Sequence, residues 1–396
     1  MPEISKRGRA LPSSPIRRLA PLAVAARQRG IHVYGLNIGQ PDLPTPVPFW
    51  NAVRSLPNGT LDYSPSPGFE SLRQKWAKFY KRYGAELTAE NIIVTNGGSE
   101  AIGFALMAIT DPGDEIVVAE PMYANYITYA QSAGVKVVPL TCRIEDGYDL
   151  PNDDALRAAV TERTRAIVVC NPSNPTGKLL SDREWERVAA LAEEKDLYVV
   201  SDEAYRDFRY DGSSPETALA RASLAQRAIV IDTVSKRYSA CGARVGALVT
   251  KNADVLAVAM KCAQARLSPP SLGQIGAEAL FDLPEAYYDW VREEYRARRD
   301  FLHQSLVEIE GVVCPKPDGA FYLMPRLPVA NAEDFCRFML EKFSHEGKTV
   351  MLAPGEGFHA TPGLGRDTVR MAYVLNIAAL ENAVVCLKRG LAAFLG

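Results

Sequence analysis

The feature that most constrains the fold is an alternation. From about residue 90 to residue 250, short runs rich in Val and Ile recur between stretches of helical pattern: "NIIVT", "DEIVVAE", "VKVVPL", "TRAIVVC", "LYVVSD", "RAIVIDT" and "GALVT". Runs that are apolar on consecutive positions fit strands covered on both faces, as in a mostly parallel sheet. One intervening stretch, "LSDREWERVAALAEEKD", opens with Ser181 and Glu184 in a capping-box spacing and places Trp185, Val188 and Ala192 on one helical face. The βαβ alternation predicts an α/β domain with helices on both sides of the sheet. After about residue 285 the pattern changes. "YYDWVREEYRARRDFLHQSLVEI" reads as a long charged helix, and "GVVCPKPDGAFYLMPRL" and "TVRMAYVL" as strands of a separate antiparallel layer. A length of 396 residues accommodates both units. The expected division is an N-terminal arm that completes the smaller domain (1–45), a large domain (46–285) and a smaller α+β domain (286–396).

Composition narrows the function. With 45 Lys+Arg against 47 Asp+Glu the net charge is −2, which offers no field for a nucleic acid partner. Seven scattered cysteines without a CxxC pair argue for a reducing compartment, and four histidines without HExxH spacing give no zinc signature. The segment "PIRRLAPLAVAARQRG" has the paired arginines of a signal peptide, but its apolar run is weak, interrupted by Pro21 and closed by Arg27. It is read as an exposed arm leading into an amphipathic helix. No run approaches the ~20 apolar residues of a membrane helix, so the expected location is cytoplasmic.

In an open α/β sheet, ligands bind outside the carboxyl ends of the strands. Five such ends here carry polar groups of different kinds. "NGGSE" supplies Gly97, Gly98, Ser99 and Glu100 at a helix start; "PMYANY" supplies Tyr123; "NPSNPTG" supplies Asn171, Asn174 and Gly177; "SDEAY" supplies Asp202 and Tyr205; "TVSK" supplies Thr233, Ser235 and Lys236, with Arg244 eight residues beyond. Taken singly, each has an ordinary reading: turn glycines, a capping aspartate, a solvated lysine, a surface arginine, a core tyrosine. Taken together they describe a pocket for pyridoxal 5′-phosphate. Backbone N–H groups at a helix N-terminus, two hydroxyls and an arginine suit a phosphate. A buried lysine can form a Schiff base. A buried carboxylate can keep a pyridine nitrogen protonated. Tyr205 and Asn174 can bond a phenolate oxygen, and Tyr123 can stack on the ring.

These motifs resemble those of the fold-type I, class I aminotransferases, the aspartate aminotransferase family, over essentially the whole chain. "TVSKRYSACGARVG" is similar to the family's lysine motif, with Thr233 in place of its first serine; "NPSNPTG", "DEAY", "TVRMAY", "NIGQPDLPTP" and "YSPSPGFESLR" resemble further family elements. The resemblance implies that Lys236 carries the cofactor and moves the substrate proton, and that Asp202 holds the ring nitrogen. It implies that Asn174 and Tyr205 meet the ring oxygen and that Tyr123 stacks on the ring. Gly98, Ser99, Glu100, Thr233, Ser235 and Arg244 would hold the phosphate. It further implies that Arg370 grips the substrate carboxylate with Asn174 and the Gly39 backbone. A homodimer is implied in which Tyr63 reaches the neighbouring subunit's phosphate. The expected reaction is ping-pong transfer of an amino group from an L-amino acid, aspartate or glutamate by default, to a 2-oxo acid. A lyase, cyclase or oxidase on the same scaffold needs the same lysine and aspartate. A cofactor-binding regulator would need an added DNA-binding domain, and a mononucleotide enzyme would need GxGxxG or GxxxxGK[ST], which is absent. For a distal substrate carboxylate, Arg266 is a candidate, beside its plainer reading as a subunit tie. Ile16, Tyr34 and Phe321 are candidate pocket walls.

Overall fold

The computed structural model describes residues 2–396. Among the described residues, twelve strands form three sheets. In chain order they are β1 (His32–Gly35), β2 (Ile92–Asn96), β3 (Glu115–Glu120), β4 (Lys136–Thr141), β5 (Thr164–Cys170), β6 (Tyr198–Asp202), β7 (Ala228–Thr233), β8 (Val245–Thr250), β9 (Tyr322–Leu323), β10 (Lys348–Met351), β11 (Ala353–Pro354) and β12 (Val369–Ala372). The seven Val/Ile-rich runs are the seven strands of one sheet, ordered β2-β8-β7-β6-β5-β3-β4. All run parallel except β8, which is antiparallel to both neighbours. Alternate side chains feed two cores: Val117, Ile167, Val199 and Val230 on one face, Ile116, Val168, Val200 and Ile231 on the other. Burial on both faces is what makes these runs continuously apolar in the sequence.

The helix Asp182–Glu194 begins as its spacing predicts. Ser181 caps it, Glu184 returns the capping bond, and Trp185, Val188 and Ala192 are buried. The other two sheets are small. β11, β12 and β9 form an antiparallel three-stranded sheet, and β1 pairs in parallel with β10, so the N-terminal segment is built into the C-terminal unit. A third core gathers Leu19, Val33, Phe335, Val350 and Leu387. It also takes Tyr205, Phe208 and Tyr210 from the chain between β6 and β7. The 23-residue helix Glu285–Val307 crosses between units: Tyr288 packs in the large-sheet core, Val291, Tyr295 and Leu302 in the third.

The direction of β8 decides where the loop after β7 begins and ends. Because β8 returns antiparallel beside β7, Thr233 at the end of one faces Gly246 near the start of the other. β2 flanks β8 with Asn96 opposite Val245. The helix start after β2 and both ends of the loop 234–244 therefore lie at the same sheet edge as the ends of β5 and β6.

Candidate active site

A cleft with a volume of about 240 Å³ opens at that edge. Its lining includes Gly98, Ser99, Tyr123, Asn174, Asp202, Tyr205, Thr233, Ser235, Lys236 and Arg244 from the large-sheet unit, Gly39 from the chain after β1, and Arg370 from β12. Twelve residues singled out in the sequence thus face one space. Glu100 and Tyr63 do not. The Glu100 carboxylate accepts from the Asn96 N–H at 2.8 Å and pairs with Arg266 at 3.1 Å, so it closes its own helix end. Tyr63 is 79 % exposed, near Leu61 in sequence, and lies outside the cleft of its own chain.

Lys236 follows β7 and points into the cleft, where Nζ donates to the Gly39 carbonyl at 2.8 Å. Its neighbour Arg237 points the other way, into the interior. There Asp232 on β7 pairs with both Arg237 and Arg206 and accepts from Trp76 Nε1 at 2.9 Å and Tyr80 OH at 3.0 Å. Burial pushes the Asp232 pKa up, but the two guanidiniums more than offset it and hold it below its usual value. This buried network fixes the strand end from which Lys236 projects.

Asp202 ends β6. It is buried, accepts from Tyr126 OH at 2.6 Å and from the Ala204 N–H at 3.2 Å, and has no ion-pair partner among the described residues. Burial raises its pKa despite those two bonds. A buried acid without a cation is costly unless a cationic or proton-bearing group meets it. Tyr126 escaped the sequence reading, although its spacing three residues after Tyr123, at the start of the helix Asn125–Ala133, places it one helical turn away.

Near Tyr205 the contacts are polar. Its hydroxyl lies 2.8 Å from that of Tyr322 and accepts from Asn174 Nδ2 at 3.3 Å; burial pushes its pKa well up, so it stays a neutral donor. Tyr123 stands edge-on to Tyr126 and accepts from Asn125 Nδ2 at 2.7 Å.

Arg244 has a left-handed backbone, φ 53°, unusual for a residue with a side chain. That turn sends its guanidinium back across the helix start, where Nη2 donates to the Asn96 carbonyl at 3.3 Å. A Cβ on Gly97, itself at φ +73°, would stand 2.3 Å from Nη2, so only glycine leaves room for this crossing. The helix start, the Thr233 and Ser235 hydroxyls, 2.8 Å apart, and Arg244 make a cradle of donors.

Arg370 is fully buried between the rings of Tyr322 (4.6 Å) and Phe358 (4.9 Å). It donates to Asn174 Oδ1 at 2.9 Å and to the Asn37 carbonyl. Its Nε has no partner, and no carboxylate pairs with it among the described residues. Burial lowers its pKa. A Cβ on Gly39 would lie 1.6 Å from the Tyr322 hydroxyl, so glycine there lets the Gly39 segment pass over this group.

The remaining expectations divide. Ile16 lines the cleft, whereas Phe321 is wholly buried in the third core and Tyr34 packs at that core's edge; the cleft-facing aromatic is Tyr322, one residue on from Phe321. Arg266 does not reach the cleft. It pairs with Glu100 and donates to the Ser66 and Val94 carbonyls at 3.0 and 3.2 Å, tying segments of its own chain.

The family model for aminotransferase class I and II matches residues 31–385. The chain belongs to the class I and II aminotransferases. An aspartate/prephenate aminotransferase of Thermus thermophilus is 34 % identical over 389 residues, covering 96 % of this chain and 97 % of that protein. An arginine–pyruvate transaminase of Pseudomonas aeruginosa is 30 % identical, covering 91 % and 90 %. Among solved structures, a double mutant of the Thermus thermophilus aspartate aminotransferase superposes with a TM-score of 0.89 at 30 % identity, covering 98 % of this chain and all of that one. The fold is that of aspartate aminotransferase, and the protein is an aminotransferase. Enzymes of this class use pyridoxal phosphate. The donor set fits that group: an anion cradle at a helix start, a primary amine, and a buried acid lacking a cation all face one cleft. No helix is long and apolar enough to cross a membrane among the described residues.

Proposed function

We propose that the cleft transfers the amino group of aspartate or glutamate to a 2-oxo acid. The observation that carries this reading is Arg370, a buried guanidinium without a carboxylate partner in the same cleft as Lys236 and Asp202. Such a cation suits the α-carboxylate common to every amino and 2-oxo acid, gripped as a fork with Asn174 and the Gly39 backbone beside it. Bound pyridoxal phosphate supplies an aldehyde that condenses with amines and a ring that accepts an electron pair.

The chain's residues do the rest. Lys236 Nζ would hold the cofactor and, as the primary amine in the cleft, would move the substrate's Cα proton. Asp202, oriented by Tyr126, holds a proton on the ring nitrogen. Tyr205 and Asn174 would bond the ring oxygen, and Tyr123 would stack on the ring. Gly98, Ser99, Thr233, Ser235 and Arg244 hold the phosphate; Glu100, its carboxylate engaged elsewhere, has its backbone N–H to offer. Residues 46–285 would bind the cofactor, with Gly39 supplied to the cleft from 1–45 and Arg370 from 286–396. Exposed Leu61, Tyr63, Leu267 and Leu272 support a homodimer in which Tyr63 completes the partner's phosphate site. The seven free cysteines, four of them buried, support a cytoplasmic location.

The test is a screen of amino donors against 2-oxoglutarate and oxaloacetate. Glutamate or aspartate formation with ping-pong kinetics is expected. Release of ammonia or peroxide without amino transfer contradicts the proposal.

A further inference from the structure

The end of β3 carries a carboxylate that the proposed chemistry does not use. Glu120 is fully buried and has no ion-pair partner among the described residues. Three donors satisfy it instead. Oε1 accepts from the Thr141 hydroxyl, at the end of β4, at 2.8 Å. Oε2 accepts from two consecutive backbone N–H groups of the C-terminal unit, Ala360 at 2.7 Å and Thr361 at 3.1 Å. His359, the residue before them, adds no cation at neutral pH, because burial lowers its pKa. Two residues on from Glu120, the Met122 N–H donates to the Phe358 carbonyl at 2.7 Å. The chain 358–361 is thus clasped at both ends by residues 120–122 of the large-sheet unit. Burying a charge to join two segments costs more than apolar packing does, but directed charge-assisted bonds fix one register.

The clasped chain walls the substrate end of the cleft. Ala353 on β11 is the cross-strand partner of Arg370 on β12. From β11 the chain turns through Gly355–Phe358, and the Phe358 ring centre lies 4.9 Å from the Arg370 guanidinium. Phe358 itself is fully buried in the large-sheet core. Arg370 therefore arrives from the C-terminal unit, while one of the two rings that flank it is anchored in the large one. On the other side of the clasp the chain runs from Met122 straight to Tyr123 in the cleft. The stretch "EPMY" joins Tyr123 to the wall of the Arg370 site.

We propose that Glu120 is a positioning residue for substrate binding, which through residues 358–361 sets where the Arg370 guanidinium stands over the cofactor pocket. This rests on the assignment of Arg370 to the α-carboxylate. The clasp needs reach rather than charge. Glutamine at 120 keeps the reach: its Oε1 can accept from both backbone N–H groups, and its Nε2 can donate to the Thr141 hydroxyl. Aspartate keeps the charge but draws the carboxylate back by one methylene.

The test compares the holoenzyme with its Glu120→Gln and Glu120→Asp variants, each checked for cofactor content and unfolding midpoint. Propionate, a carboxylate without an amine to react, is titrated calorimetrically well below those midpoints. Glu120→Asp is expected to weaken propionate about three- to thirtyfold with cofactor content unchanged, and Glu120→Gln to stay within about twofold of wild type. In the half-reaction with aspartate, the loss in Glu120→Asp should fall on the apparent dissociation constant rather than on the limiting rate. Placed in an Arg370→Gln background, Glu120→Asp should have no further effect on propionate. Propionate affinity within twofold of wild type in Glu120→Asp, a Glu120→Gln variant as weak as Glu120→Asp, or full additivity with Arg370→Gln would each overturn the proposal. Propionate binding unchanged by Arg370→Gln alone would instead defeat the assignment of Arg370, and the proposal with it.

Discussion

Replacing Arg370 with Lys or Gln tests the substrate end of the site. In the structure this guanidinium lies between two aromatic rings and already gives two N–H groups to Asn174 and the Asn37 carbonyl. Its Nε is unpartnered and leaves donor capacity for an anion. A forked grip on a carboxylate involves two charge-assisted bonds of about 1.5–3 kcal/mol each. Lysine keeps the charge but not the fork, so Arg370→Lys should lose about one bond, roughly 10- to 150-fold in kcat/KM. Glutamine loses both and should cost about 10²- to 10⁴-fold. The assay is the single-turnover half-reaction with aspartate, followed by the cofactor's absorbance, with cofactor content and unfolding midpoint measured on each variant. Both variants remaining within about threefold of wild type, folded and loaded, would refute the reasoning, because a buried cation with no role in binding would then be the correct description.

Two other perturbations separate function from stability. Burial raises the Asp202 pKa, so in the cofactor-free protein its ionisation opposes folding. That penalty is complete above the raised folded value and vanishes below the unfolded value near ~3.9. Asp202→Asn should therefore raise the unfolding midpoint of the apoprotein at neutral pH while lowering turnover about 10²- to 10³-fold; a lower midpoint at neutral pH with normal turnover would contradict both statements. Asp232 is the opposite case. Its folded pKa is held down by Arg237 and Arg206, so it stabilises the fold above the unfolded value near ~3.9, and the contribution is lost as pH falls through the folded value. Asp232→Asn leaves two buried guanidiniums short of a partner and should cost about 3–5 kcal/mol in urea denaturation at neutral pH. A loss below about 1 kcal/mol would show that the network carries no net weight.

Much of this was legible in the sequence because it depends on element ends. The seven strands announced themselves through Val and Ile buried on both faces, and their carboxyl ends brought Asn174, Asp202, Tyr205, Thr233, Ser235 and Lys236 to one edge. Positions beyond that edge were less readable, because side-chain direction there is decided by tertiary partners. Glu100 turns back to its own helix start because the Asn96 N–H and Arg266 are both within reach. Phe321 and Tyr322 are adjacent in the chain, and a two-residue strand offers no alternation long enough to tell the core-facing ring from the cleft-facing one. Tyr126 has the sequence pattern of a core aromatic, and only the fold brings Asp202 to its hydroxyl. The N-terminal arm was hardest, since Arg18 is fixed by Glu333, more than three hundred residues away.

The most direct measurement is chemical. Borohydride reduction of the holoenzyme, followed by proteolysis and mass spectrometry of the peptide spanning residues 233–246, should find a pyridoxyl group fixed to the Lys236 side chain. Reduction that leaves Lys236 unmodified, or that places the label on another lysine, would contradict the account.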